Sequence, residues 1–174
     1  MEIKDVQVVL LSCPFPKKHW HTSDLGTVVK SNAVLVKVTS EKGLVGWGES
    51  HGSPLVCKEI VEKELKPLLI GEDPTRVELL WEKMYTAPTQ VANALLPCRR
   101  FPAPAAGRGE RVSAISGVDI ALWDLYGKIV NQPVYKILGG GGYQERIRAY
   151  ASRGGWKKPG ELAKEALKEV EGRV

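Results

Sequence analysis

The sequence predicts an α+β fold in which a three-stranded antiparallel meander is followed by a helical bundle and then by one strand-plus-helix unit. Alternating β-branched residues are concentrated in the first fifty positions, a pattern typical of half-buried strands. Apolar residues then recur at helical spacing within residues 53–85 and again within residues 112–131. The 174 residues are 43% hydrophobic and 26% charged, which is typical of a globular chain with its own core.

Three strands are predicted, over residues 3–11, 33–39 and 44–49. A short turn ending at Gly43 joins the last two strands and favours a hairpin, to which the first strand adds a third member. The first two strands are separated by a long loop over residues 14–30. We expect this loop to be functional or mobile, since long loops without regular structure are uncommon inside compact domains.

Helices are predicted over residues 53–67, 73–85 and 112–131, where the apolar positions follow the spacing of a buried helical face. The aromatic residues at helical spacing, Trp81, Tyr85 and Trp123, are assigned to the core. Asp124 and Lys128 are spaced as an i, i+4 ion pair.

Two later segments differ in pattern. Residues 86–109 contain four prolines and no sustained periodicity, so we interpret them as a mobile loop or as an out-of-frame stretch. After the glycines at 139–142, alternation predicts a strand over 146–152 and then a helix beginning near Pro159.

The net charge of +5 raises the question of nucleic-acid binding. The densest basic stretch contains Arg99, Arg100, Arg108 and Arg111, with Phe101 as its one aromatic residue. Since no platform of stacking aromatics accompanies these charges, we expect no nucleic-acid partner.

The cysteines and the apolar runs indicate in which cellular compartment the protein is expected. The three cysteines are far apart and form no C-x-x-C motif, so we expect reduced, buried thiols. No apolar run has the length of a membrane span, and acidic residues stand where a signal peptide would be basic. We therefore expect a cytoplasmic protein without a membrane partner.

Four strings in a fixed order carry a family resemblance. They are GLVGWGE at 43–49, LKPLLIGEDP at 65–74, AISGVDIALWDL at 114–125 and QPVYKILGG at 132–140. Together they resemble the N-terminal capping domain of the mandelate racemase/muconate lactonizing enzyme family, within the enolase superfamily. The likeness covers residues 1–85 and 110–170 and implies a capping domain over 1–138. It also implies that 139–174 are a junction and the first βα unit of a barrel.

The resemblance implies an enzyme that removes the proton α to a carboxylate of a small substrate. In the family, the barrel supplies lysine or histidine bases and three carboxylates that hold Mg²⁺, which stabilises the enediolate. Acid-sugar dehydratases, cycloisomerases and racemases share this chemistry.

No position of this sequence matches a base or metal ligand of the family. A barrel needs about 250 residues, whereas residues 146–174 provide one of its eight units. We therefore expect a truncated, catalytically incompetent fragment that binds no Mg²⁺ by itself. The exposed strand edge and the apolar face of the last helix make a homo-oligomer possible. The alternative interpretation is a small basic binding module that retains the capping fold.

Candidate site residues lie in the loops that follow the first and third strands. The first loop contains His19, Trp20 and His21, and the second contains His51. The resemblance implies that both loops fold over the substrate and set specificity, so these four residues are the candidate substrate-binding residues. Alternatively, they belong to solvated loops without a function. The histidine spacing matches no metal signature, and we expect a structural role for Glu49.

Overall fold

The computed structural model of the chain describes residues 1–24, 26–95, 109–142, 144–148 and 158–171. The chain forms two compact units, Met1–Ile137 and Leu138–Val174.

The first unit is built on a three-stranded antiparallel sheet. The strands of this unit are β1 (Ile3–Pro14), β2 (His21–Ser23), β3 (Gly26–Val28), β4 (Lys30–Ser40) and β5 (Val45–Ser50). The sheet has the order β1-β4-β5, which confirms the predicted meander. Val36 of β4 lies opposite Val8 on one side and Gly48 on the other, and every second residue of the sheet faces the core.

The segment between the first two predicted strands is structured, contrary to the expectation of an irregular loop. The ladder between β1 and β4 continues to the pair Pro14 and Lys30. A 3₁₀ turn at Lys17–His19 follows, and β2 pairs with β3 as a second, two-stranded hairpin. The strands are longer than predicted because backbone pairing continues past the last alternating apolar residue.

The helices are α1 (Pro54–Glu59), α2 (Lys66–Leu69), α3 (Val77–Leu95), α4 (Glu110–Val130), α5 (Val134–Gly139) and α6 (Pro159–Glu171). A π-helical segment, Ile60–Leu65, joins α1 to α2. The wider π turn changes which face is buried. Cys57 and Leu65 lie in the core, whereas Leu55, predicted on the apolar face, is 70% exposed.

Helix α3 continues ten residues beyond its predicted end and includes Pro88. The interpretation of 86–95 as structureless was therefore wrong, while residues 96–108 lie outside the described residues. Trp81, predicted in the core, is 41% exposed and stacks on Tyr85 with ring centroids 4.9 Å apart. Trp123, in contrast, is partly buried against the core.

Helix α4 lies against the sheet with almost no side chain between the two backbones at β5. A Cβ on Gly48 would lie 2.7 Å from the Ala121 nitrogen, and one on Gly46 would lie 2.7 Å from the Leu125 Cβ. Contacts this short are not tolerated, so both positions require glycine. The predicted ion pair on the polar face of α4 is confirmed, with Lys128 Nζ 2.6 Å from Asp124 Oδ2.

The expectation of buried cysteines was partly wrong. Cys57 is buried, but Cys13 is exposed, and Cys98 lies outside the described residues. Within the basic stretch, the Arg111 guanidinium is buried and paired with Glu64. The other three arginines of that stretch lie outside the described residues.

In the second unit, α6 occurs where a helix was predicted. The described residues 144–148 are not in a strand, unlike the prediction for 146–152, and residues 149–157 lie outside the description. A strand requires a hydrogen-bonded neighbour, and the described part of this unit offers none. Across the described residues, no helix has the length and apolar character needed to cross a membrane.

Candidate functional site

A cleft of about 640 Å³ lies where β5 ends and α4 begins. The residues that line it come from the end of β5, from the loop after it and from the first three turns of α4. They are Glu49, His51, Gly109, Val112, Ser113, Ser116 and Ile120. The cleft thus combines a carboxylate, an imidazole and two hydroxyls with an apolar edge.

The strand and helix periods place these polar groups together. Gly48 and Ser50 are buried against α4, so Glu49 projects from the other face of β5 and is exposed. Ser113 and Ser116 are three residues apart and therefore share one face of α4. Gly109 precedes this helix with φ of 69°, a conformation that favours glycine.

His51 is exposed, and the residues on either side of it are fixed. Ser50 donates a hydrogen bond from Oγ to the Ser113 carbonyl oxygen at 2.7 Å. Ser53 donates from its backbone nitrogen to Glu110 Oε2 at 2.8 Å. The imidazole is therefore presented from a loop that is tied to α4 at two points.

Two groups close to the cleft have perturbed acidity. Burial raises the pKa of the Cys57 thiol, which therefore stays protonated at neutral pH. Burial also raises the pKa of the half-buried Asp119 carboxyl, which lies one turn beyond Ser116 on α4. Asp119 has no ion-pair partner among the described residues, so nothing there offsets the cost of its burial.

His19 and Trp20, the first-loop candidates whose side chains the structure describes, do not line this cleft. His19 ends the 3₁₀ turn, and Trp20, 44% exposed, donates its indole N–H to the Phe15 carbonyl oxygen at 2.9 Å. The backbone of His21 pairs with Val28 in the small hairpin, and its side chain lies outside the description. Of the three candidates whose side chains are described, the structure brings His51 to the cleft.

Sequence reasoning missed Ser113 and Ser116 as cleft residues. The signal was present, because two serines three apart in an otherwise apolar helix mark a polar patch on its surface. A structural role was expected for Glu49, yet its carboxylate has no hydrogen bond or ion pair within the described part of the chain, although its backbone pairs with Leu35 of β4.

Within the described ranges, no three His, Cys, Asp or Glu side chains come together in a way that could hold a metal ion. The residues present therefore do not fit Mg²⁺, which prefers several converging oxygen ligands.

Comparison with known proteins identifies relatives that act on sugar acids. The chain is 38% identical over 130 residues to a D-galactonate dehydratase family member of Streptomyces bingchenggensis, covering 74% of this chain and 28% of that protein. It is 37% identical over 133 residues to the arabinonate dehydratase of Saccharolobus solfataricus, covering 75% and 31%. The chain thus spans about a third or less of the length of these relatives.

Solved structures share the fold. A member of the enolase superfamily from Polaromonas sp. JS666 is 29% identical with a TM-score of 0.75, over 98% of this chain and 42% of that one. A racemase from Streptomyces coelicolor A3(2), solved with bound magnesium, is 27% identical with a TM-score of 0.62, over 79% and 35%.

The model of the mandelate racemase / muconate lactonizing enzyme N-terminal domain matches residues 6–139. This span holds the meander, the helices packed on it and the cleft at the start of α4. The chain therefore belongs to the mandelate racemase / muconate lactonizing enzyme family, through its N-terminal domain.

Proposed function

We propose that this chain is the capping part of a Mg²⁺-dependent enolase-superfamily enzyme that acts on a sugar acid. We propose residues 1–138 as the capping domain and residues 139–174 as the junction and the first βα unit of a barrel. The proposal draws on the relatives, whose names specify D-galactonate and arabinonate dehydratases. A dehydratase, a cycloisomerase and a racemase of this kind share the removal of a proton α to a carboxylate.

The single observation that carries the proposal is the polar lining of the cleft. His51 and the Ser116 hydroxyl offer both donors and acceptors, and Glu49 offers acceptors. The Ser113 hydroxyl donates to the Gly109 carbonyl oxygen at 3.4 Å and so adds an acceptor. A polyhydroxy acid needs this combination, because each of its hydroxyls donates one hydrogen bond and accepts others. We propose that His51 contacts the hydroxyl-bearing part of the substrate.

His19, Trp20 and His21 are proposed as a second group of contacts. They lie in and beside the 3₁₀ turn and the small hairpin, on a segment between β1 and β4. An indole ring offers an apolar face to the C–H groups of a sugar chain, and imidazoles offer hydrogen bonds. On this proposal the two loops contact different parts of one substrate.

The proposal gives separate roles to Mg²⁺ and to the side chains of this chain. Mg²⁺, when bound, would stabilise the enediolate formed on proton removal, and its ligands would lie outside this chain's described residues. The groups of this chain recognise and orient the substrate and exclude water from it.

A ligand titration tests the proposal. D-galactonate is added to the isotopically labelled chain, and D-galactose, which lacks the carboxylate, serves as the matched control. We expect saturable changes in the NMR signals of His51 and Ser116 with D-galactonate, abolished by His51→Ala. Equal responses to both sugars, or no response at these residues, would contradict the proposed function.

A further inference from the structure

The loop that carries His51 is attached to the start of α4 by Glu110. One carboxylate oxygen, Oε2, accepts the Ser53 backbone N–H at 2.8 Å and the Cys57 thiol at 3.5 Å. Ser53 also begins α1, because its carbonyl oxygen accepts the Cys57 backbone N–H at 2.9 Å. A single side chain thus connects the end of the His51 loop to the start of two helices.

The carboxylate is packed directly against the backbone of this loop. A Cβ on Gly52 would overlap Glu110 Oε2 and would lie 2.8 Å from Cys57 Sγ. The absence of a side chain at residue 52 is therefore what allows the carboxylate to reach Ser53. This close approach leaves the loop little freedom to shift relative to α4.

Two features of its surroundings strengthen the attachment made by the Glu110 side chain. Glu110 occupies the first turn of α4, where the unpaired backbone N–H groups of a helix attract negative charge. The N–H of Ser53 donates to a charged acceptor, and such bonds are about twice as strong as neutral ones. The Cys57 thiol is buried and protonated, so it acts as a donor rather than as a competing anion.

We infer that Glu110 is a positioning residue, which holds His51 at the cleft by anchoring Ser53 two residues after it. The role rests on the proposed function, because His51 matters only if the cleft binds substrate. The second anchor, from Ser50 to the Ser113 carbonyl oxygen at 2.7 Å, holds the residue before His51. Glu110 fixes the other side, where no regular strand pairing remains.

The experiment compares the 174-residue chain with its variants Glu110→Ala, Glu110→Gln and Glu78→Ala. Glu78 lies in the first turn of α3 and is exposed, so its removal controls for losing one charge at a helix start. Amide exchange is measured at Ser53, and the His51 ring signals are recorded with and without D-galactonate. The signals of Val36 and Leu122, both in the core, report whether each variant is folded.

For Glu110→Ala we expect Ser53 exchange to accelerate about tenfold, as the loss of one charge-assisted hydrogen bond implies. D-galactonate should bind this variant more weakly and shift His51 less. Glu110→Gln, which keeps an acceptor oxygen, should recover most of both properties, and Glu78→Ala should change neither.

The outcomes separate the two proposals. If D-galactonate does not change the His51 ring signals of the wild-type chain, both the proposed function and the positioning role are overturned. If the wild type responds but folded Glu110→Ala responds equally, only the positioning role is overturned. Unchanged Ser53 exchange in that variant overturns the anchor itself, whatever the ligand does.

Discussion

The buried guanidinium of Arg111 donates a hydrogen bond from Nη2 to the Met84 carbonyl oxygen at 3.1 Å. Four residues beyond Met84, helix α3 contains Pro88, which has no backbone N–H to donate to this carbonyl. Arg111 of α4 therefore satisfies an acceptor that the proline leaves open. Its other terminal nitrogen pairs with Glu64 of the π-helical segment, so one side chain joins three parts of the bundle.

Arg111→Ala should lower the free energy of unfolding by about 2–3 kcal/mol, because it removes the pairing with Glu64 and leaves the buried Met84 carbonyl oxygen without a donor. In a Pro88→Ala background the restored N–H serves Met84, so the same substitution should cost about 1 kcal/mol less. Urea unfolding of the four chains in this cycle measures the difference. If the stability effects of the two substitutions are strictly additive, Arg111 does not compensate for the backbone N–H that Pro88 lacks.

Gly48→Ala should destabilise the first unit by about 3 kcal/mol, since a Cβ there meets the backbone of α4 and the strand cannot move aside without losing its ladder. Gly160→Ala, at the start of α6 where no atom lies within 4 Å of the added Cβ, provides the matched control. It should leave stability unchanged or raise it slightly. Thermal unfolding of both variants makes the comparison, and equal melting temperatures would refute the close-packing argument.

Asp119→Asn should stabilise the chain at pH 7 by up to about 1 kcal/mol, because it removes a carboxylate that burial disfavours. The folded pKa of Asp119 is raised, so its penalty is absent below the usual carboxyl pKa. It grows as the pH rises through that value and is complete above the folded pKa. Stability of wild type and variant should therefore converge near pH 3.

Denaturation curves from pH 3 to pH 8 measure this difference for Asp119→Asn. The control is Glu82→Gln, at an exposed position within α3, which should show little dependence on pH. A stability gap for Asp119→Asn that stays constant across this range would rule out titration of Asp119 as its cause.

The segment between β1 and β4 provides a prediction about loop order. Closing a substrate lid costs about 1–2 kcal/mol of conformational entropy per backbone residue that is fixed. If His19, Trp20 and His21 form such a lid, NMR order parameters in the ligand-free chain should be lower there than at Val36 and Val45. Addition of D-galactonate should raise them. Values equal to those of the sheet before any ligand is added would identify the segment as a structural element and remove the specificity role.

The parts of the fold that follow from local pattern were predictable. Alternation placed Val6 and Val8 on the buried face of β1, and helical spacing identified α4 to within a few residues. The continuation of α3 through Pro88 was not predictable, because it relies on an arginine that lies far along the chain. The π-helical segment was missed because its face depends on packing against other elements, whereas periodicity assumes 3.6 residues per turn.

The site was only partly predictable for a similar reason. His51 stood out as a titratable residue in a loop, and the structure places it in the cleft. Glu110 did not stand out, because its importance comes from a contact with Ser53, which lies 57 residues earlier in the chain. Sequence pattern reports which residues share a face of one element, but a contact between elements depends on how they pack.

The glycines of β5 separate the frame of the cleft from the groups that we propose to contact the substrate. At Gly46 and Gly48 the strand touches α4 through backbone atoms, so the spacing between strand and helix does not depend on the size of any side chain there. Residues 49, 51, 113 and 116 project from this frame into the cleft. On the proposed function, exchanging these four side chains would alter selectivity while leaving the strand and helix in register, which makes them the natural set to vary when the domain is redirected to a different sugar acid.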